Sequence, residues 1–211
     1  MFAQDAATDP ALLRDYVTQR FDAVEVSARW LNERERARAE QMVEKLVDWL
    51  ARNPRRLIAV EREFRRELAG AAENPVQLRG RVDRLELDAD GRLVVVDLKT
   101  GASVPSMEDV AVHPQLAAYQ LAVREGAFAE GSVPGGAEIV ALGNGGKTAS
   151  VRAQVPLAEA DDPEWAARLV RGAAAAMAAA TFDAVVNKTC AHCPVRTSCP
   201  VSGQGRQVTQ G

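Results

Sequence analysis

The spacing of hydrophobic residues predicts a helical N-terminal segment followed by short strands. Over residues 9–52 apolar side chains recur at three- and four-residue intervals, which is typical of amphipathic helix, and Asn53-Pro54 ends the pattern. Three runs rich in valine and leucine follow, each bounded by turn-forming residues, and they predict strands at 57–64, 78–87 and 92–99.

Helices and strands alternate in the second half of the chain. A helix is predicted over 113–126, with Pro114 at the first helical position, where its missing N–H has no partner in any case. Apolar runs predict further strands at 137–142 and 151–155, and an alanine-rich helix begins at Asp161-Asp162-Pro163.

This alternation predicts an α/β fold with a mixed sheet flanked by helices. We divide the chain into a helical segment over 1–54, an α/β core over 55–187, a cysteine-rich segment over 188–201 and a mobile tail over 202–211. The 1–54 segment contains alternating acidic and arginine residues at 33–38, which indicate a solvated helix face more than a DNA-facing stripe.

The loop between the second and third strands sets their register. Ala89-Asp90-Gly91 suits a three-residue hairpin loop with glycine in the left-handed position. Residues whose numbers sum to 180 then face each other, so Asp83 lies opposite Asp97. A two-residue loop would place these acids on opposite faces, since a slip of one residue inverts every side chain.

The third predicted strand ends in two charged residues, which are unusual in a buried strand. Asp97 and Lys99 share one side because side chains alternate along a strand. Alone, the two could form an ordinary surface salt bridge. With Asp83 directly opposite, however, two carboxylates lie close enough to repel unless a cation separates them, and Mg²⁺ or Mn²⁺ prefers such oxygens. The pattern predicts a phosphate-cleaving metal site, with Lys99 beside the attacking water.

Further polar residues fall near this site in the predicted topology. Glu61 and Glu63, on the strand before, could each supply a third acid or could simply be exposed. Gln115 and Tyr119 are four apart on a helix and so lie one above the other, where they could touch nucleic acid or order Lys99. His113 is better explained as a helix-start residue than as a metal ligand.

The three cysteines form the last candidate site, with the spacing Cys-x2-Cys-x5-Cys at Cys190, Cys193 and Cys199. Three thiolates can bind a metal, but iron–sulfur clusters normally need four. His192 could complete a zinc site, and two of the thiols could instead form a disulfide.

Overall composition excludes several classes of protein. No apolar run approaches the roughly 20 residues of a membrane-spanning helix, and no signal peptide opens the chain, so we expect a cytosolic protein. The net charge of −3 gives no general reason to expect nucleic acid.

Five motifs in order resemble the RecB-type branch of the PD-(D/E)XK nuclease superfamily, and most of all the nuclease domains of AdnAB-type helicase-nucleases of actinobacteria. They are Glu61, Gly80-Arg81-Val82-Asp83, Val96-Asp97-Leu98-Lys99-Thr100-Gly101, Gln115-x3-Tyr119 and the cysteine segment.

The resemblance implies a restriction-endonuclease-like fold and a deoxyribonuclease in which Asp83 and Asp97 bind Mg²⁺ or Mn²⁺ and Lys99 is the signature lysine. It further implies that Gln115 and Tyr119 contact DNA or support the centre. Glu61 matches the family's additional acid, with Glu63 the second choice.

The resemblance also assigns Cys190, Cys193 and Cys199 as three ligands of a [4Fe–4S] cluster. The fourth cysteine and a metal-binding histidine in a Gly-x-x-x-His helix have no counterpart in this sequence, so we expect a domain cut short at its N-terminus.

The partners implied by the resemblance are DNA, helicase motor domains upstream in the same polypeptide and a second helicase-nuclease subunit. The corresponding role is double-strand break resection and recombinational repair at the nucleoid, in the cytoplasm. Two alternatives stay open: a catalytically inactive module that guides DNA, and a zinc-stabilised module for protein interaction.

Overall fold

The structure is a computed structural model that describes residues 10–22, 29–68, 75–181 and 184–202. The chain divides into two compact units, Met1–Arg171 and Gly172–Gly211.

Two helices come first, α1 (Pro10–Asp22) and α2 (Arg29–Arg52). The end of α2 directly before Asn53-Pro54 confirms the predicted end of the helical segment, while residues 23–28 lie outside the described part of the chain. Most of the tail expected to be mobile, residues 203–211, also lies outside it.

Five strands form one mixed sheet in chain order, which confirms the predicted α/β fold. Only β3 and β4 are parallel neighbours, and the other pairs are antiparallel. The strands are β1 (Arg56–Leu68), β2 (Val76–Leu87), β3 (Leu93–Lys99), β4 (Pro134–Ala141) and β5 (Ser150–Gln154).

The remaining helices connect and follow these strands. The parallel pair needs a crossover, which α3 (Met107–Ala111) and α4 (Pro114–Arg124) supply, and α5 (Trp165–Ala178) follows β5. The sequence pattern did not predict α3, whose five residues are too few for a hydrophobic period, although Ser106 and Asp109 form a capping box at its start.

The hairpin between β2 and β3 has the predicted register. The Asp88 N–H donates to the Arg92 carbonyl at 3.0 Å across a three-residue loop, and Gly91 takes a φ of 76°. Leu85 pairs with Val95, as a sum of 180 requires.

Helices cover both faces of the sheet. On one face, α4 contributes Leu116, Tyr119, Ala122 and Val123 to a core that includes Leu85 and Val95. On the other face, Trp49 of α2 packs with Val96, Val140 and Leu142. The strand end that carries Asp97 therefore lies between two packed layers.

The alternation of side chains reverses where β1 and β2 approach the end of β3. On a regular strand, residues an odd number of positions apart face opposite sides. Ala59 and Phe64 are five apart yet lie in one core cluster, and Val82 and Leu85, three apart, lie in that same cluster. Glu61, inside the first interval, has a φ of 49°, a left-handed value that is uncommon outside glycine. The irregularity lies beside Asp83.

Within the described ranges, no helix combines enough length with enough apolar character to span a membrane.

Candidate active site

The end of β3 presents Asp97 and Lys99 to the same side. Asp97 follows three buried valines and is itself only 2% exposed. The Lys99 Nζ lies 2.7 Å from Asp97 Oδ2, while the lysine side chain keeps 40% of its surface exposed. One charge is thus enclosed and the other reaches solvent.

Helix α4 adds Gln115 and Tyr119 to this pair. Lys99 Nζ donates to Gln115 Oε1 at 3.1 Å, and Gln115 Nε2 donates to Asp97 Oδ1 at 2.9 Å. The same Gln115 nitrogen lies 2.8 Å from the Tyr119 hydroxyl, which donates to the Arg81 carbonyl at 3.2 Å. The sequence predicted that Gln115 and Tyr119 lie one above the other, and the structure joins both to the acid and the lysine.

Asp83 reaches the same strand end from β2. The β2–β3 pairing stops at Arg84 and Val96, and beyond it Asp83 Oδ2 accepts the Leu98 N–H at 2.7 Å. Asp83 therefore takes the place of a ladder hydrogen bond rather than pairing directly with Asp97. Its charge still acts on Asp97.

One oxygen of this site has a single close partner. Asp97 Oδ2 is buried and lies 2.7 Å from Lys99 Nζ, and no other described residue donates a hydrogen bond to it. Burial raises the pKa of the Asp97 carboxyl, the Lys99 ammonium opposes that change, and the Asp83 carboxylate adds to it. Both facts fit a divalent cation, because a hard ion would accept this oxygen as a ligand and offset the repulsion.

Burial also raises the pKa of the Tyr119 hydroxyl, with an opposing contribution from its hydrogen bond to Gln115. Tyr119 therefore stays protonated and keeps its donor for the Arg81 carbonyl.

Glu61 forms an ion pair with Arg81. Its carboxylate lies 2.9 Å from Arg81 Nε, and its side chain is 59% exposed. Glu63 pairs with Arg81 across the β1–β2 ladder. In the described ranges no three His, Cys, Asp or Glu side chains are grouped so that they could hold a metal ion, and the third acid stays a prediction.

The three cysteines line one cavity of about 290 Å³ in the second unit, together with Arg196. None is in a disulfide. Successive turns link them, since the N–H of Cys193 donates to the Cys190 carbonyl and that of Cys199 to the Arg196 carbonyl. The Asn187 N–H also donates to Cys190 Sγ at 3.2 Å. The thiols share a cavity without converging into a ready metal site.

Two buried glutamines that the sequence analysis did not identify support α4. Gln154 Nε2 donates to the Val110 carbonyl at 2.8 Å, and Gln120 Nε2 donates to Gln154 Oε1 at 3.0 Å. These bonds fix the junction between α3 and α4, from which Gln115 projects. A signal existed, because Gln120 follows Leu116 by four residues and so falls on the buried side of the helix.

Comparisons with known proteins identify a family. No curated protein matches the chain. The crystal structure of SSO0001 is similar at a TM-score of 0.47 and 14% identity, over 94% of this chain and 84% of the other, which is too remote to add to the assignment. A family model described as the PD-(D/E)XK nuclease superfamily matches residues 3–200. That match covers nearly the whole sequence, and the chain therefore belongs to the PD-(D/E)XK nuclease superfamily.

Proposed function

We propose that this chain is a deoxyribonuclease of the RecB-type branch that hydrolyses phosphodiester bonds with Mg²⁺ or Mn²⁺. The observation that carries the proposal is the hydrogen-bonded group of Asp97, Lys99, Gln115 and Tyr119, in which the Lys99 ammonium lies 2.7 Å from a buried carboxylate oxygen. An ordinary ion pair does not require a buried acid, two supporting side chains and a second acid nearby.

Asp83 and Asp97 are the residues that would hold the metal ion. Both offer carboxylate oxygens, the ligand type that Mg²⁺ and Mn²⁺ prefer. When bound, such an ion neutralises negative charge on the phosphate and makes water a better nucleophile. The Leu98 N–H fixes one oxygen of Asp83, so that carboxylate is oriented before any ion arrives.

Lys99 acts on the reacting groups. Its exposed ammonium can hold the attacking water or neutralise charge that develops on the phosphate oxygens in the transition state. In the reaction, one P–O bond forms to the water oxygen and one P–O ester bond breaks.

Gln115 positions the two charged groups relative to each other. It accepts from Lys99 and donates to Asp97, so rotation of its amide would break both contacts. Tyr119 limits that rotation, because its hydroxyl lies against the Gln115 amide and is itself bound to the β2 backbone. Loss of Tyr119 should therefore weaken the site without removing a reacting group.

The test is digestion of labelled single-stranded DNA by the whole chain with Mn²⁺ or Mg²⁺. We expect Asp97→Asn and Lys99→Met to slow cleavage by about 10²- to 10⁴-fold. The control is Asp90→Asn, which removes an exposed acid from the hairpin loop and should leave cleavage unchanged. Equal digestion by Asp97→Asn and wild type would contradict the catalytic assignment. A folded wild-type chain that binds but never cleaves DNA would favour the inactive module.

We also propose that the nuclease works in an ATP-dependent helicase-nuclease that resects DNA breaks in the cytoplasm, with motor domains in the same polypeptide and a second subunit as partner. The order of the motifs from Glu61 to Cys199 supports this assignment. Resection by the native enzyme that requires both ATP and an intact Asp97 would support it. Cleavage that is independent of ATP and of any helicase activity would contradict it.

Finally, we propose that Cys190, Cys193 and Cys199 bind a [4Fe–4S] cluster whose fourth ligand is not a cysteine of this sequence. Their common cavity and the N–H donated to Cys190 Sγ support the proposal, since thiolate ligands commonly accept such bonds. Anaerobic purification should give iron and acid-labile sulfide, both lost in Cys193→Ser. Zinc in place of iron would favour the interaction module.

A further inference from the structure

Helix α2 carries a buried cation that the proposed chemistry does not use. Lys45 is 6% exposed, and its ammonium group has three oxygen acceptors in the loop after β4. They are the Leu142 carbonyl at 3.0 Å, the Asn144 carbonyl at 2.6 Å and the Asn144 Oδ1 at 3.1 Å. Since an ammonium has three hydrogens, each can be satisfied without a carboxylate.

The loop that Lys45 binds is in turn bonded to Lys99. The Leu142 N–H donates to the Lys99 carbonyl at 2.8 Å, and the Gly143 N–H lies 3.4 Å from the same oxygen. The backbones also touch, because a Cβ on Gly143 would lie 2.0 Å from the Thr100 carbonyl oxygen. Leu142 is thus held through its carbonyl by Lys45 and through its N–H by Lys99.

A second cation of α2 binds the same backbone. Arg38 Nη2 donates to the Thr100 carbonyl at 2.8 Å. Arg38 and Lys45 are seven residues apart, or two helical turns, so both project from one side of α2. Together they bind carbonyls just beyond the ends of the parallel strands β3 and β4.

We propose that Lys45, assisted by Arg38, is a positioning residue that fixes the backbone of Lys99, so that nuclease activity depends on the docking of α2. This inference rests on the proposed function, because it assigns a control element to the same site. The physical reason is the reach of Lys99. Gln115 and Asp97 hold its ammonium end, while its backbone is held by pairing with Ala141 at the end of the β3–β4 ladder and by the contacts to Leu142 and Gly143 described above.

Removal of the Lys45 ammonium leaves buried carbonyls without donors and lets the 142–144 loop move away from Lys99. A displacement of about 1 Å at a reacting group is enough to slow catalysis by roughly 10²-fold. We therefore expect Lys45→Met to lower kcat by about 10- to 100-fold while KM changes little, since Lys45 does not touch the substrate.

The experiment compares Lys45→Met with Leu50→Ala in the whole chain. Leu50, also on α2, is partly buried against the apolar cluster of Trp49, Val140 and Leu142, so its truncation weakens the docking of the helix without removing the ammonium. Hydrogen exchange provides the readout besides activity. In Lys45→Met the amides of Leu142 and Gly143 should exchange about tenfold faster, and that of Val95 should keep its protection.

If Lys45→Met does not fold, Arg38→Met tests the same backbone from an exposed position. We expect a smaller fall in kcat than in Lys45→Met. The control is Arg52→Met, which replaces an exposed arginine of the same helix and should leave kcat unchanged.

Two results would overturn the proposal: unchanged exchange at Leu142 and Gly143 in Lys45→Met, or a kcat no lower than that of Leu50→Ala at equal stability. A wild type that never cleaves DNA would refute the proposed function instead. In that case the exchange data alone decide whether Lys45 holds the backbone of Lys99.

Discussion

A buried ion cluster on the sheet face covered by α2 permits a quantitative prediction. Glu86 is fully buried, and it accepts from Arg55 Nε at 2.7 Å, from Asn53 Nδ2 at 2.9 Å and from Arg84 Nε at 2.9 Å. Glu138, also buried, is bound by Arg55 through both carboxylate oxygens. Arg55 is thus the link between two acids on different strands.

The perturbation is Arg55→Met, which removes the charge at similar length. Breaking a buried ion pair by removing one partner costs about 3–5 kcal/mol, because the other charge is left uncompensated. Glu86 keeps Asn53 and Arg84, so Glu138 alone loses its partner. We therefore expect a loss of about 3 kcal/mol in the free energy of unfolding near neutral pH.

The loss should depend on pH with a definite sign. Burial raises the pKa of Glu138, and Arg55 opposes that change. In the window from the ordinary value of 4.5 up to the raised folded value, the folded state binds the extra proton, so stability falls as pH rises. Without Arg55 the folded pKa rises further, and the difference between variant and wild type should shrink as pH falls towards that ordinary value.

Urea denaturation of wild type, Arg55→Met and Arg55→Met/Glu138→Gln measures both effects. The double variant should recover much of the stability at neutral pH, since a neutral amide is less costly to bury than an unpaired carboxylate. The reasoning is refuted if the double variant is as unstable as Arg55→Met, or if the loss is the same near pH 7 and about pH 5.

Two further substitutions test the backbone around the site. Gly143→Ala should destabilise the chain and abolish cleavage, because its Cβ would lie 2.0 Å from the Thr100 carbonyl oxygen. The control is Gly145→Ala, where a Cβ meets no atom within 4 Å. This control should be neutral in both urea denaturation and digestion assays. Glu61→Gly should leave the free energy of unfolding within about 0.5 kcal/mol of wild type, because relief of the left-handed φ offsets the conformational entropy that glycine loses on folding. Glu63→Gly, which gains no such relief, should lower the free energy of unfolding by about 1 kcal/mol. Equal losses in the two variants would contradict this reasoning.

Local patterns in the sequence predicted much of the sheet and one part of the site. Alternation and turn chemistry are local signals, so the hairpin register followed from Ala89-Asp90-Gly91 and the shared side of Asp97 and Lys99 from period two. The helical spacing of Gln115 and Tyr119 is equally local.

The features that the sequence did not predict depend on contacts between distant residues. Lys45 and Asn144 are 99 positions apart, and Arg55 and Glu138 are 83 positions apart. In a local pattern such charged residues indicate solvent exposure. Burying a charge is costly unless a partner binds it, and here the partner is distant in the sequence. The left-handed φ of Glu61 also lacks a local signal, since glutamate is not a residue that favours it.

The environment of Asp97 distinguishes a functional site from an ordinary surface salt bridge. An exposed Asp–Lys pair contributes at most about 1 kcal/mol and leaves both groups hydrated. Here the acid is buried and near a second acid, and both effects raise the pKa of its carboxyl, so the ionised form is costly to keep even with Lys99 Nζ 2.7 Å from Oδ2. A fold selected only for stability would gain by replacing Asp97 with a valine like its three predecessors. The retained cost is better explained by a ligand that this oxygen binds during function.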